Sequence, residues 1–185
     1  MSRTPLTRQQ PPGATSPWPL GTRIRAMCWE ICWRLLCSWT PKPANRWRLL
    51  ILRLFGARIF GCPFVHQRGR IQLPWNIELH DRACVGDRAN LYSLDTITIK
   101  QNAVVAQEAY LCAGTHGFDD PELPLLTAPI TVEARAFIGA RAFVLPGVTL
   151  GEESVVGAMS VVSRNVAPRT TVVGNPASPV RKTRS

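Results

Sequence analysis

The chain has 185 residues, of which 45% are hydrophobic and 18% are charged. This size predicts one globular domain with a small appendage and leaves no space for a separate nucleotide-binding domain. The net charge of +10 is uneven, because residues 1–60 hold ten of the 22 Lys and Arg but one of the 12 Asp and Glu. Charged residues interrupt every long apolar stretch, so neither a membrane-spanning helix nor a cleavable signal peptide is expected.

Residues 1–17 are rich in Pro, Ser, Thr and Gln, show no apolar period, and are predicted to be a disordered tail. Residues 18–58 predict a basic, amphipathic helical segment. Its first helix, over 23–39, is expected to bury the apolar residues that recur at spacings of three and four, namely Ile24, Met27, Cys28, Ile31, Cys32, Leu35, Leu36 and Trp39. Pro41 ends this helix, and a second helix is expected to begin with Asn45 as its N-cap and to end at Gly56.

The six cysteines form no CxxC pair and no regular spacing. This usage predicts reduced thiols, buried as small apolar side chains, in a cytoplasmic protein.

A six-residue period dominates the chain after residue 58. From Val132 onward an aliphatic residue returns at every sixth position, and a small or β-branched residue follows four places after each one. The aliphatic positions of this run are Val132, Ile138, Val144, Leu150, Val156 and Val162. Such a period fits a triangular solenoid in which three short strands and three corners make a coil of about eighteen residues. The expected fold class is therefore an all-β solenoid.

The period predicts a solenoid domain over residues 59–168 and a C-terminal tail over residues 169–185. It slips by two residues at several places, as at Ile77 to Leu79, which indicates one wider corner. The largest break lies between Leu111 and Ile130, where the surplus residues predict a protruding loop over 117–129. A loop that leaves a rigid solenoid directly after a histidine is a natural place for function.

Several segments resemble the hexapeptide-repeat O-acetyltransferases, most closely the colanic-acid-biosynthesis type. They are the hexads themselves, NLYSLDTITI, AYLCAGTH, the loop running to PLLTAPITV, and VVGNPAS, and the resemblance covers about residues 46–181. It implies a left-handed parallel β-helix, a homotrimer with active sites between subunits, acetyl-CoA as acyl donor, and a hydroxyl of a sugar or glycolipid as acceptor. No metal is implied.

Acyl transfer to an alcohol needs a general base, and histidine is the side chain best suited to that role near neutral pH. Of the three histidines, only His116 ends a hexad and enters the predicted loop. His116 in its AGTH context is therefore the candidate catalytic base.

The resemblance also suggests the remaining site residues. Asn90 and Asp95 are the candidates for acceptor binding and for orienting the imidazole. Matching to the family gives five candidate contacts to acetyl-CoA, which are Ala140, Ala158, Ser163, Arg164 and Arg181. The position after GNPA, usually Lys or Arg in the family, is Ser178 here, and Arg181 is the nearest following cation.

Three other functions fit the sequence less well. A zinc hydratase on the same prism needs three converging histidines, and His66 and His80 are wrongly phased relative to His116. A non-catalytic solenoid would use the basic, tryptophan-rich segment to contact an anionic membrane surface or a protein, whereas the plainer role of that segment is to cap the solenoid and pack on neighbouring subunits. Nucleic acid is not an expected partner, because no recognition motif accompanies the basic residues.

Overall fold

The computed structural model describes residues 3–9 and 18–180, and most of this chain winds into a prism with three parallel β-sheet walls. Wall A consists of β2 (Arg58–Ile59), β5 (Ile77–Leu79), β8 (Ile97–Ile99), β13 (Ile130–Val132) and β16 (Thr149–Leu150). Wall B consists of β3 (Phe64–Val65), β6 (Cys84–Val85), β9 (Val104–Val105), β14 (Phe137–Ile138), β17 (Val155–Val156), β19 (Thr171–Gly174) and the antiparallel β20 (Ala177–Pro179). Wall C consists of β4 (Arg70–Ile71), β7 (Asn90–Tyr92), β10 (Tyr110–Cys112), β15 (Phe143–Val144) and β18 (Val161–Val162).

The register of the walls gives the length of each coil. Ile138 pairs with Val156, so this coil has 18 residues, as the six-residue period predicts. In wall B, Val65 pairs with Val85, and Val85 pairs with Val105, so the earlier coils have 20 residues. Their two extra residues lie where wall C passes to wall A of the next coil, and in the first of these coils Pro74–Asn76 form a 3-10 turn there. This C–A corner is the wider corner that the slips in the period predict.

The interior of the prism is built from the stacked hexad positions. All six aliphatic residues of the predicted run are at most 2% exposed, and so are most of the small residues four places later. Each side chain is covered by its equivalent in the neighbouring coil, which explains why isolated hexads cannot bury their apolar surface. The predicted assignment of inward positions is confirmed.

The glycines after the aliphatic residues serve close packing rather than unusual backbone angles. A Cβ atom added at Gly139 would lie 2.5 Å from the Ala158 backbone nitrogen in the next coil. The left-handed φ angles at the corners belong instead to charged residues two places later, such as Arg141 and Glu153. The contact between coils therefore selects glycine at the position before the turn.

Helix α2 (Asn45–Leu54) closes the open end of the first coil. Its buried side chains Leu49 and Leu52 continue the solenoid core. Asn45 is the first helical residue and not the N-cap, which is Ala44. The Asn45 side chain accepts a hydrogen bond from Val65 N and donates one to Pro63 O, so it fastens the helix to the first coil.

Helix α1 (Leu20–Leu36) packs beside α2 through tryptophans. The Trp29 indole donates to Ile71 O at 2.7 Å, and its ring lies 5.1 Å from the ring of Trp33 and 5.2 Å from that of Phe55. The apolar stripe that was expected to be buried lies on the opposite side, and most of its members, including Cys28, are exposed. That expectation is wrong because both sides of α1 are apolar, and the larger tryptophan rings take the core.

The two chain ends differ from the predicted tails. Thr7–Arg8 form strand β1, which pairs antiparallel with a strand of the long insertion, whereas residues 1–2 and 10–17 lie outside the described residues. At the other end, β19 extends wall B beyond residue 168 and Val172 is buried. Both segments join the body through backbone hydrogen bonds, which need no apolar period in the sequence.

Candidate active site

The insertion after wall C is a β-hairpin standing on the C–A corner. Strand β11 (Gly114–His116) runs antiparallel to β12 (Leu125–Thr127), and β1 pairs with the other edge of β12. The predicted loop over 117–129 therefore contains the middle strand, β12, of a three-stranded sheet. His116 is the last residue of β11, at the point where the hairpin turns.

The imidazole of His116 is exposed and held by one backbone group. Its Nδ1 lies 2.7 Å from the carbonyl oxygen of Leu123. Because a carbonyl oxygen can only accept, Nδ1 carries the proton in this contact, and Nε2 keeps its lone pair. His116 is thus oriented as a proton acceptor at Nε2.

The turn that presents the Leu123 carbonyl is itself tied down. Leu123 has a φ of 45°, in the left-handed region. Asp120 receives the Glu122 amide on its side chain and the Leu123 amide on its carbonyl. Arg8 of β1 then forms ion pairs of 3.0 Å with both Asp120 and Glu122. The N-terminal strand therefore braces the loop that orients His116.

Asp95 does not orient the imidazole. Its carboxylate accepts hydrogen bonds from the Thr96 amide and from the Thr127 hydroxyl, which also receives a bond from Gln9. Asp95 therefore fastens the base of the hairpin to the corner below it. The carbonyl oxygen of Leu123 orients His116 instead. Because this oxygen belongs to the backbone, the residue types in the sequence do not predict the contact.

Asn90 lies in β7 and points outward from wall C, between Arg70 and Tyr110 of the adjacent strands. It lines a groove of about 750 Å³ between wall C and α1. The groove combines aromatic and polar side chains, including Trp33, Gln72 and Tyr110, and His116 is not part of its lining. The structure thus places Asn90 and His116 on neighbouring surfaces rather than in one cluster.

Ala140 and Ala158 stack at the corner that joins wall B to wall C. The Met159 amide donates to Ala140 O at 2.9 Å, so the two alanines occupy equivalent places in consecutive coils. Among the described residues, the amide N–H groups of Ala140 and Ala158 have no hydrogen-bond acceptor. Their small side chains leave these two donors available at the B–C corner.

The other three candidate contacts to the donor lie elsewhere. Ser163 and Arg164 follow β18 at the C–A corner, and Arg164 is exposed. Arg181 lies outside the described residues. The pairing of Ile138 with Val105 places Ala140 level with Gln107, which lies before strand β10 of wall C, whereas His116 lies after it. A single chain therefore presents its imidazole and its free amides at opposite edges of wall C.

The histidines do not gather as a metal centre requires. His66 Nδ1 lies 3.2 Å from Asp87 in wall B and accepts the Arg68 amide, and burial lowers the pKa of His66. His80 contacts Glu78 in wall A. Within residues 3–9 and 18–180, no three His, Cys, Asp or Glu side chains lie close enough to share a metal ion.

A prism of stacked hexads with one exposed histidine on a corner insertion defines the class of hexapeptide-repeat transferases. Residues 129–164 match the family described as the hexapeptide repeat of succinyl-transferase. The chain is 36% identical over 162 residues to WcaF of Escherichia coli (strain K12), which is named as a colanic acid biosynthesis acetyltransferase; the match covers 88% of this chain and 89% of that one. The chain belongs to the hexapeptide-repeat acetyltransferases and is an acetyltransferase.

Solved structures are similar over nearly the whole chain. A galactoside acetyltransferase in complex with coenzyme A superposes with a TM-score of 0.78 at 20% identity, covering 91% of this chain and 86% of that chain. A hexapeptide-repeat acetyltransferase of Vibrio cholerae O1 biovar eltor, in complex with acetyl coenzyme A, gives 0.77 at 22% identity, with 89% and 88% covered. The predicted fold class, a left-handed parallel β-helix behind an N-terminal helical segment, is confirmed.

Proposed function

We propose that the protein transfers the acetyl group of acetyl-CoA to a hydroxyl of a sugar or polysaccharide precursor, with His116 as the general base. The observation that carries the proposal is the exposed imidazole whose Nδ1 donates to Leu123 O, which leaves Nε2 free to accept a proton. The relatives support the class of substrates, because one is named for colanic acid biosynthesis and another is a galactoside acetyltransferase bound to coenzyme A.

The proposed reaction is a direct transfer. Nε2 of His116 takes the proton of the acceptor hydroxyl while the hydroxyl oxygen attacks the thioester carbonyl carbon. The amide of Ala140 donates to the oxyanion of the tetrahedral intermediate. The carbon–sulfur bond then breaks, and the departing thiolate takes the proton from Nε2, which returns His116 to its starting state.

A covalent acyl-enzyme is not part of the proposal. Cys112 is the cysteine nearest to His116 in sequence, and its thiol donates to Gly114 O at 3.0 Å. Burial raises the pKa of Cys112, which keeps the sulfur protonated and poorly nucleophilic.

The proposed assembly is a homotrimer. The imidazole of His116 and the free amides of Ala140 and Ala158 lie at opposite edges of wall C. If three prisms pack side by side with wall C facing the threefold axis, the edge with His116 meets the neighbour's edge with these amides. Ser163, Arg164 and Arg181 remain proposed contacts to the donor. Asn90 remains a proposed contact to the acceptor, and the carboxylate of Asp95 would act by fixing the hairpin base.

The direct test is a screen of soluble sugars and glycolipids with acetyl-CoA, read as free thiol release and as mass of the acetylated product. We expect O-acetylated product from at least one carbohydrate acceptor. Exclusive acetylation of amines, or an acetylated protein residue trapped during turnover, would contradict the proposal. The chain belongs to an enzyme family, so the sequence-based alternative of a non-catalytic scaffold is not supported.

The brace between β1 and the hairpin predicts a measurable positioning effect. Replacing Arg8 by alanine removes the ion pairs to Asp120 and Glu122, each worth at most about 1 kcal/mol, and loosens the turn that holds the Leu123 carbonyl. We expect kcat to fall about two- to fivefold with KM for acetyl-CoA unchanged. Arg8→Lys should restore part of the loss and Arg3→Ala should have no effect. An unchanged kcat in Arg8→Ala would show that the brace does not act on His116.

A further inference from the structure

The helical segment exposes an unusual amount of apolar surface. Eleven of the seventeen large hydrophobic side chains that are exposed among the described residues lie between residues 20 and 60. Nine of them lie on the two helices and the turn between them, and we call their exposed side chains the end face, namely Leu20, Ile24, Met27, Ile31, Leu35, Trp39, Trp47, Leu50 and Leu54. Soluble proteins rarely leave a patch of this kind uncovered, so the end face requires a partner.

The end face is formed by the sides of both helices that point away from the protein. On α1, Ile31 is two residues from both Trp29 and Trp33, which places it about 200° around the helix from the buried rings. On α2, Leu50 and Leu54 are each two residues from the fully buried Leu52 and therefore face outward in the same way.

The two helical stripes meet where the helices are joined. The indole of Trp47 on α2 donates to Leu36 O, and the indole of Trp39 donates to Leu35 O, both at the C-terminal end of α1. The side chain of Trp39 is 72% exposed and that of Leu54 is 71% exposed. Tryptophan at the rim of an apolar stripe is typical of proteins that lie at a membrane–water boundary.

The charges around the end face favour an anionic partner. Glu30 is the one acidic residue between residues 18 and 60, and it is paired with Arg34. Arg23, Lys42 and Arg46 are exposed, and none of their side chains forms an ion pair or hydrogen bond among the described residues. Cations beside exposed leucine and tryptophan match a surface of phosphate headgroups above acyl chains.

The position of α2 argues against a second copy as the partner of the α2 part of the end face. Because α2 closes the first coil, its outward side faces along the solenoid axis, away from the three walls. Neighbours packed side by side cover walls and leave the ends free. Three parallel prisms would therefore present their end faces in one plane, as binding to a flat surface requires.

We propose that the end face of α1 and α2 docks the protein on an anionic lipid bilayer. In the described part of the chain, no helix is long and apolar enough to cross a membrane. The apolar side chains enter the headgroup region, and Arg23, Lys42, Arg46 and Arg53 contact the phosphates. This proposal is independent of the proposed acetyl transfer, because it uses neither His116 nor the free amides.

The test is flotation of the full-length protein with vesicles of phosphatidylcholine alone or mixed with phosphatidylglycerol. We expect co-flotation with the mixed vesicles that weakens as salt is raised. The Leu50→Ser/Leu54→Ser variant should lower the partition coefficient at least about tenfold, because two apolar side chains no longer insert. Lys42→Glu/Arg46→Glu should do the same through charge. Phe137→Ser, which changes an exposed aromatic residue of wall B, is the matched control and should float normally.

Circular dichroism and light scattering accompany each variant. No flotation with the mixed vesicles, or equal flotation of the Leu50→Ser/Leu54→Ser variant, overturns the proposal. Dissociation of the oligomer in that variant also overturns it, because the end face would then be a contact between copies. The Lys42→Glu/Arg46→Glu variant replaces exposed side chains that form no ion pair or hydrogen bond among the described residues, so the test stands even if the serine variant fails to fold.

Discussion

Replacement of His116 by alanine is expected to lower kcat for acetyl transfer about 10²- to 10⁴-fold, the usual contribution of a positioned general base. The variant loses the imidazole whose Nδ1 donates to Leu123 O and whose Nε2 is free to accept a proton. KM for acetyl-CoA should change little, because the proposed contacts to the donor are made by other residues, among them Ala140 and Ala158 of the neighbouring subunit. Initial rates of thiol release, with a saturating sugar acceptor from the screen, measure the effect.

The control for this prediction is His80→Gln. His80 contacts Glu78 and stacks on Phe60 in wall A, away from the hairpin, so its replacement should leave kcat unchanged. Size-exclusion chromatography must give the same oligomer for both variants, so that a change in kcat reports on the imidazole of His116. Turnover of His116→Ala within a factor of three of the parent, at an equal oligomeric state, would remove His116 as the base.

The solenoid could be predicted from the sequence because its determinants are local and repeated. Each hexad needs one aliphatic residue such as Val144 and one small or β-branched residue such as Val148. Both appear in the sequence at fixed spacing. The two-residue slips likewise marked the C–A corner from which the hairpin leaves. His116 is the candidate base because it stands at the end of this regular pattern.

The sequence does not predict which side of a helix is buried when both sides are apolar. Both sides of α1 are apolar, so the period alone does not reveal that Trp29 and Trp33 pack inward and Ile31 outward. Contacts made by backbone groups leave no trace in residue types. The Leu123 carbonyl on His116 and the pairing of β1 with β12 are of this kind.

The role of Arg48 could not be predicted either, because this charged side chain is buried between α2 and the first coil. It is fully buried in α2, and its guanidinium donates to Val65 O, Thr40 Oγ1, Pro41 O and Lys42 O at 2.9–3.0 Å. No carboxylate takes part among the described residues, and burial lowers the pKa of Arg48. The sequence shows only another arginine in a basic segment. In the fold, this side chain ties α2, the preceding turn and the first coil together.

Replacing Arg48 by alanine is therefore expected to lower the free energy of unfolding by about 3 kcal/mol or more, because it leaves buried carbonyl oxygens without donors and opens a cavity. Arg48→Met fills the volume but not the hydrogen bonds, so it should recover only part of the loss. Arg46→Ala, an exposed arginine on the same helix, is the matched control and should change stability by less than about 0.5 kcal/mol. Urea denaturation followed by circular dichroism at one protein concentration measures all three. If Arg48→Ala unfolds at the same urea concentration as Arg46→Ala, the four hydrogen bonds of the guanidinium do not hold α2 to the solenoid.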